Sequence, residues 1–243
     1  MKLTKTVKYN YKLNEENLEK DIDKFIFEAK KGNYRRDRHY NSEGLRIIKQ
    51  YFRILQDKFD NQEFGESKIC YEKLIIFCFD ASAKNNLFDY EDLLAKISSD
   101  FDKFIRNYFI CLIKTCNTEE LAERVSKYAS HLDVYGFDSD KEILLENLNE
   151  LEFKNLEARM LIKTEGMTKK DQDKQDIIHF LMEISEIQED KEKYLQLCER
   201  FRRILNNKEF EFLRGEYEEN RLLGNKIDNA LDELKQNSKK ESR

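Results

Sequence analysis

The sequence predicts an all-α protein, and three observations carry that prediction. None of the 243 residues is proline, whereas average usage of near 5% would give about twelve. Because proline lacks the amide donor and clashes with the preceding turn, its absence leaves no position where a helix is forced to end. Glycine occurs only seven times, and 38% of the residues are charged, against roughly 25% in an ordinary domain. That balance is typical of stacked helices that each expose one charged face.

The first thirteen residues have a different pattern from the rest of the chain. Apolar and polar residues alternate from Val7 to Leu13, which is the period of an extended strand. Four lysines make this stretch basic: Lys2, Lys5, Lys8 and Lys12. Since the sequence offers no second strand, we expect an extended basic N-terminal arm that lies along the helices, pairs with a partner or stays mobile.

Three helices are predicted next. Asn14 suits an N-cap, and the helix that follows ends at Gly32. Ser42 suits the N-cap of a second helix, which carries two apolar stripes and therefore needs neighbours on both sides. The third helix, from about Gly65 to Ser82, is apolar nearly all round, as expected of the central helix of an array.

Polar residues mark the starts of the following helices. Candidate starts are Asp89 or Asp92, Ser99 or Asp100, Thr118, and Ser139, and the helical pattern continues from Leu151 to Ile162. Because the joints are short, neighbouring helices are expected to pair in an antiparallel manner.

The segment 164–175 has almost no apolar content and is predicted to be a flexible joint. It separates an N-terminal helical array, residues 1–163, from a C-terminal part, residues 176–243, although the two parts can also pack as one continuous domain. The C-terminal part is predicted to hold a helix pair and a long terminal helix. Apolar residues in this last helix recur at alternating spacings of three and four, the seam pattern of a coiled coil. The helix either caps the array, which we favour, or mediates oligomerisation through residues 208–234.

The stretch from Leu45 to Phe77 resembles a tetratricopeptide-type helix pair, with an aromatic-rich first helix, a polar turn at Asp60 to Glu63, and the sequence SKICYEKLI. A second stretch, from Ile177 to Phe201, is similar, with its turn at Gln188 to Lys191. The tryptophan and the closing proline usual in that repeat are absent, and the region between shows no fixed period. The resemblance implies an irregular helical-repeat protein whose helix pairs stack as a right-handed array.

A basic and aromatic segment, Lys30 to Asn41, is the first candidate binding site. Arginines alternating with aromatic residues suit contact with phosphates and stacking on bases. The candidate binding residues are Tyr34, Arg35, Arg36, Arg38, His39 and Tyr40. The first forty residues hold eleven Lys and Arg against seven Asp and Glu, about +4, whereas the whole chain carries −5. The alternative, which we favour, is a solvated loop whose arginines pair with the acidic remainder of the chain.

Arg124 and His131 are the candidate catalytic residues. Their spacing of six intervening residues resembles the Arg and His motif of helical HEPN-type ribonucleases, although Val125 replaces the polar residue usual after the Arg. A surface or capping role for His131 is the favoured alternative. No Cys or His spacing predicts a metal site, and no glycine-rich phosphate loop predicts a nucleotide cofactor. We therefore expect neither metal nor cofactor.

The sequence thus favours a non-catalytic module or scaffold subunit that binds another protein or peptide along a helical-repeat groove. The alternative is an RNA- or DNA-associated protein that uses residues 30–41, with or without HEPN-like ribonuclease chemistry. The longest apolar runs, such as Leu74 to Phe79, are far shorter than the roughly twenty residues of a membrane span. The N-terminus lacks the apolar stretch of a secretory signal, and the five cysteines are odd in number, so we expect a soluble, cytoplasmic protein.

Overall fold

A computed structural model describes residues 17–32, 34, 43–84, 93–98, 100–131, 138–167, 172–202 and 215. Within these ranges the chain is helical and contains no strand, which confirms the all-α prediction. The helices are α1 (Leu18–Lys30), α2 (Glu43–Asp60), α3 (Phe64–Lys84), α4 (Leu93–Ile97), α5 (Asp102–Thr115), α6 (Thr118–Ala129), α7 (Asp138–Asn147), α8 (Glu150–Glu165), α9 (Gln172–Ile187) and α10 (Lys191–Phe201).

The chain divides into two compact units, Met1–Gly166 and Met167–Arg243. The first unit contains α1 to α8, and the second contains α9 and α10. Both ends of the predicted joint, residues 164–175, are helical, because α8 continues to Glu165 and α9 begins at Gln172. Whether the residues between them are flexible stays a prediction.

Helix α3 is the centre of the first unit. It packs against α1, α2, α4 and α5, and its 21 residues are the longest helix in the described part of the chain. This position is explained by apolar residues on all sides of the helix axis, which give α3 buried side chains toward every neighbour. The buried apolar residues are Cys70, Tyr71, Leu74, Ile75, Phe77, Cys78, Phe79 and Ala81. The sequence-based prediction of a central third helix is confirmed.

Aromatic rings join the helices around α3. The Phe25 ring of α1 lies 5.6 Å from the Tyr51 ring of α2 and 5.8 Å from the Phe77 ring of α3. The Phe52 ring of α2 stacks at 4.2 Å on that of Phe104 in α5. Edge-to-face and offset contacts of this kind each add about 0.5–1.5 kcal/mol beyond the burial of their area. These ring contacts help to fix the positions of α1, α2 and α5 around α3.

Two helix pairs end their first helix in the same way. In α2–α3, the amide of Gln62 donates to the Phe59 carbonyl at 2.9 Å and that of Glu63 donates to the Lys58 carbonyl at 2.9 Å. This is the hydrogen-bond pattern of a Schellman turn, with Gln62 in the left-handed region at φ 64°.

The α9–α10 connection repeats this pattern. The amide of Glu189, at φ 55°, donates to the Glu186 carbonyl, and the amide of Asp190 donates to the Ser185 carbonyl, both at 2.9 Å. Both connections were predicted from the sequence as polar turns between paired helices, and the structure confirms the two pairs.

Several sequence-based predictions fall on residues outside the described ranges. They are the N-terminal arm, the cap residues Asn14 and Ser42, the binding residues other than Tyr34, and the seam of the last helix over 208–234 except Gly215, which is helical. These stay predictions. The predicted helix start at Thr118 is confirmed, since α6 begins there, and its N-cap is Asn117, whose side-chain oxygen accepts the Glu120 amide at 2.9 Å.

We expect the substitution Gln62→Gly to stabilise the protein by about 0.5–1 kcal/mol, because glycine adopts the left-handed conformation without the steric cost that a side chain pays. Chemical unfolding followed by circular dichroism measures the effect. Asn61→Gly, at the neighbouring turn position, is the control and should not stabilise. Equal effects of the two substitutions would contradict the assigned turn.

Candidate functional site

The exposed surface of α8 carries an uncharged stripe within a highly charged helix. The exposed residues of this helix without a charge are Leu151, Asn155, Ala158 and Ile162. They follow one another at spacings of four, three and four residues, so at 100° per residue they lie within about 60° of one another. Leu151 is 69% exposed and Ile162 is 66% exposed. These four residues are called the α8 stripe below.

The opposite face of α8 is buried against α6. Phe153, Leu156 and Met160 are each at most 5% exposed, and α6 packs against α8. A capping box fixes where the helix begins, because the Asn149 side chain accepts the Glu152 amide at 3.0 Å and the Glu152 side chain accepts the Asn149 amide at 3.0 Å. Helix α8 is therefore anchored through its buried face, and the α8 stripe lies on the opposite, exposed face.

Charged residues of both signs border the α8 stripe. Lys154 pairs with Glu150 at 2.6 Å, and Arg159 lies 3.8 Å from Glu119 of α6. A less polar centre with a charged rim is the usual anatomy of a protein interaction surface. From the sequence, only the continuation of the helical pattern was predicted here. A local signal for the surface was present, because uncharged residues form a second stripe on a helix that already has one apolar face.

Tyr34 is the one predicted binding residue within the described ranges. Its ring stacks on the buried Phe25 ring at a centroid distance of 5.1 Å. Burial, and then the charge of Glu43, raise the pKa of its hydroxyl. The structure therefore places Tyr34 half-buried against α1. Arg35, Arg36, Arg38, His39 and Tyr40 lie outside the described ranges.

Arg124, one of the two candidate catalytic residues, belongs to a network of charged groups between helices. Its guanidinium donates to Glu72 of α3 at 2.9 Å and to Glu120, one turn earlier in α6, at 3.0 Å. Glu120 also accepts Lys68 of α3 at 2.9 Å. These ion pairs give Arg124 a structural role that connects α6 to α3.

Glu72 lies at the centre of this network. It is 5% exposed, and it accepts Lys127 at 2.5 Å and the Tyr108 hydroxyl of α5 at 3.1 Å in addition to Arg124. Burial raises the pKa of the Glu72 carboxyl, but the hydrogen bonds and charges of Lys127 and Arg124 outweigh burial and leave it below its ordinary value. Glu72 is therefore a carboxylate that three helices share.

His131, the second candidate catalytic residue, lies at the C-terminal end of α6. Its Nδ1 is 2.8 Å from the Lys127 carbonyl oxygen, which only accepts, so Nδ1 carries the proton and donates. The Ser130 hydroxyl is 3.2 Å from the same nitrogen. A histidine that donates to a terminal carbonyl stabilises a helix end, and this contact accounts for His131 without catalysis. A ribonuclease role for the two residues stays an untested prediction.

The described ranges contain no group of three or more His, Cys, Asp or Glu residues arranged to hold a metal ion. Among the same residues, no helix combines the length and the apolar character needed to cross a bilayer. Four cysteines that the sequence analysis placed in apolar helical stretches are buried: Cys70, Cys78, Cys111 and Cys198. Cys116, placed near a polar joint, is half-buried.

Comparison with protein families, with curated proteins and with solved structures found no match to this chain.

We expect Glu72→Gln to lower the free energy of unfolding at neutral pH by about 1–3 kcal/mol, because Arg124 and Lys127 lose their shared carboxylate. The pKa of Glu72 is lowered by folding, so its contribution is present above the ordinary value of 4.5 and is lost as the pH falls below it. The difference between variant and wild type should therefore shrink in acid. Unfolding measured from pH 7 to pH 3 tests this.

Glu123→Gln is the matched control for that experiment, because Glu123 is an exposed carboxylate on the same helix as Arg124. It should change stability by no more than about 0.5 kcal/mol. A constant difference between Glu72→Gln and wild type at every pH would rule out the proposed protonation of Glu72.

Proposed function

We propose that this protein is a non-catalytic interaction module in which an irregular, right-handed array of antiparallel helix pairs presents the α8 stripe to a partner protein. The partner contributes an amphipathic helix whose apolar residues pack on Leu151 and Ile162. This is the protein-binding scaffold that the sequence favoured, with a specific surface assigned to it.

The order of helix contacts supports a helical-repeat array. Contacts skip one helix along two rows: α1, α3, α5 and α7 pack in sequence, and α6 packs on α8. In stacked helix pairs, each helix packs on its equivalent in the next pair, which gives the same order of contacts. The pair α2–α3, of which α3 lies in the first row, also corresponds to the stretch that resembles a tetratricopeptide unit.

The shared turn is a second supporting observation. The two stretches that resemble tetratricopeptide pairs both end their first helix with a Schellman turn, and neither uses glycine at the left-handed position. An acidic residue, Glu63 or Asp190, then directly precedes the second helix. Two pairs in different units thus have one local design, as repeats of a common type would.

The observation that carries the proposal is the spacing of the α8 stripe. Uncharged residues at intervals of four, three and four form the seam along which a second helix packs knobs into holes. The rim carries both charge signs, which suits recognition of a helix with a mixed polar face. The proposed function requires only surface contacts of this kind from the described residues.

Site-specific photo-crosslinking tests the proposal. A photoreactive amino acid replaces Asn155, at the centre of the α8 stripe, in the full chain expressed in its native cells. A second protein crosslinked from this position, and not from exposed Lys163 on the same helix, is the expected result. Crosslinks only within the chain, or only between two copies of it, would overturn the proposal.

Substitution then measures how much the stripe contributes to binding. We expect Ala158→Lys to weaken binding of the identified partner by about tenfold or more, because a charge enters the apolar centre of the contact. Gln50→Lys adds the same charge at an exposed position on α2 and is the control. Affinities follow from isothermal titration of the purified proteins, and equal affinities of the two variants would contradict a contact at α8.

A further inference from the structure

One face of α1 carries lysines and an exposed aromatic ring. Lys20, Lys24, Phe27 and Lys31 are all exposed, and they follow one another at spacings of four, three and four. At 100° per residue they lie within about 60° of one another on the helix surface. These four residues are called the α1 stripe below. It extends over about 16 Å at a rise of 1.5 Å per residue.

Three of the four acidic residues of α1 bind side chains of neighbouring helices. Lys73 of α3 binds Glu19 at 2.8 Å and Asp23 at 2.7 Å, and the Tyr51 hydroxyl of α2 donates to Asp21 at 2.9 Å. These contacts keep three carboxylates turned toward α2 and α3. The charge of α1 is therefore divided across the helix, with cations on the outer side.

Two of the three lysines of the α1 stripe have no ion-pair partner within the part of the chain that the structure describes. Lys20 and Lys24 form no ion pair there, and the one carboxylate near Lys31 is that of Glu28, at 3.7 Å. Lys20 and Lys24 are four residues apart, an arrangement of like charges that disfavours an isolated helix. A bound polyanion would relieve this repulsion.

Phe27 adds an exposed aromatic ring to the lysines of the α1 stripe. Its side chain is 57% exposed, and the Lys31 ammonium lies 3.8 Å from the centroid of its ring. An exposed ring among lysines offers a stacking surface for a base beside contacts for the neighbouring phosphates. A poly-glutamate chain would use the lysines but has no aromatic group to stack on the ring.

We infer that the α1 stripe binds single-stranded nucleic acid, with Lys20, Lys24 and Lys31 contacting phosphates and Phe27 stacking on a base. Recognition of this kind does not depend on sequence, because each base has a face on which to stack. The inference does not rest on the proposed function, which uses a different helix. Together they describe an adaptor that brings a nucleic acid and a protein partner together.

Fluorescence anisotropy with the full-length protein tests the inference. The probes are labelled 20-nucleotide single strands of dT and rU, a 20-base-pair DNA duplex, and a 20-residue poly-glutamate peptide. We expect both single strands to bind more tightly than the duplex and the peptide, and binding to weaken steeply with salt. Absence of single-strand binding at low salt, or equally tight binding of poly-glutamate, overturns the inference.

Two variants assign the binding to the α1 stripe. A triple substitution of Lys20, Lys24 and Lys31 by Gln should reduce the slope of log affinity against log salt by about 2, since each phosphate contact on a single strand contributes about 0.7. The matched control replaces the exposed lysines Lys103 and Lys114 of α5 and Lys163 of α8 by Gln. Equal slopes for the two triple variants overturn the inference.

Phe27→Leu separates stacking from general apolar contact. Leucine keeps an apolar side chain but loses the flat ring, so we expect the affinity for the single strands to fall about 5- to 150-fold, the range that corresponds to stacking of one base. Helix content measured by circular dichroism should be unchanged, because residue 27 is exposed. Unchanged affinity for the single strands would show that no base stacks there and would overturn the inference.

Discussion

The buried carboxylate of Glu72 is the constraint on which the first unit depends. A charge removed from water is stable only when its partners replace the lost hydration. Those partners come from α5, through Tyr108, and from α6, through Arg124 and Lys127. The position of α3 is therefore coupled to the positions of both helices. The same network determines which side of α6 faces α3, while α6 also packs on α8.

The α1 stripe and the α8 stripe have the same residue spacing but different chemical character. Each follows the intervals four, three and four along a helix, one with lysines around a ring on α1 and the other without charge on α8. The difference arises from what the remaining residues do. On α1 three of the four carboxylates bind Lys73 and Tyr51 of neighbouring helices. On α8 the charged residues form a rim and leave the centre uncharged. The functions proposed for the two stripes thus follow from what each helix leaves exposed.

Much of the fold was predictable because its signals are local. Apolar periodicity gave the α2–α3 and α9–α10 pairs and the central position of α3, since a helix buried all round must be apolar all round. The role of Glu72 was not predictable, because its partners Arg124 and Lys127 are more than fifty residues away in sequence. Tyr34 was interpreted as a binding residue, yet its contact with Phe25 depends on how the chain turns after Gly32. The α8 stripe had a local signal, visible once both faces of the helix are compared.

The attachment of α8 has a consequence for the lifetime of the protein in a cell. In the described part of the chain this helix packs mainly on α6, whereas α3 packs on four helices. Segments held in this way open at a lower free energy than a central helix such as α3, and proteases cut such open forms. Anything bound to the outer face of α8 would hold it closed by mass action. Abundance of the protein would then follow that of its partner, and excess copies would be degraded first.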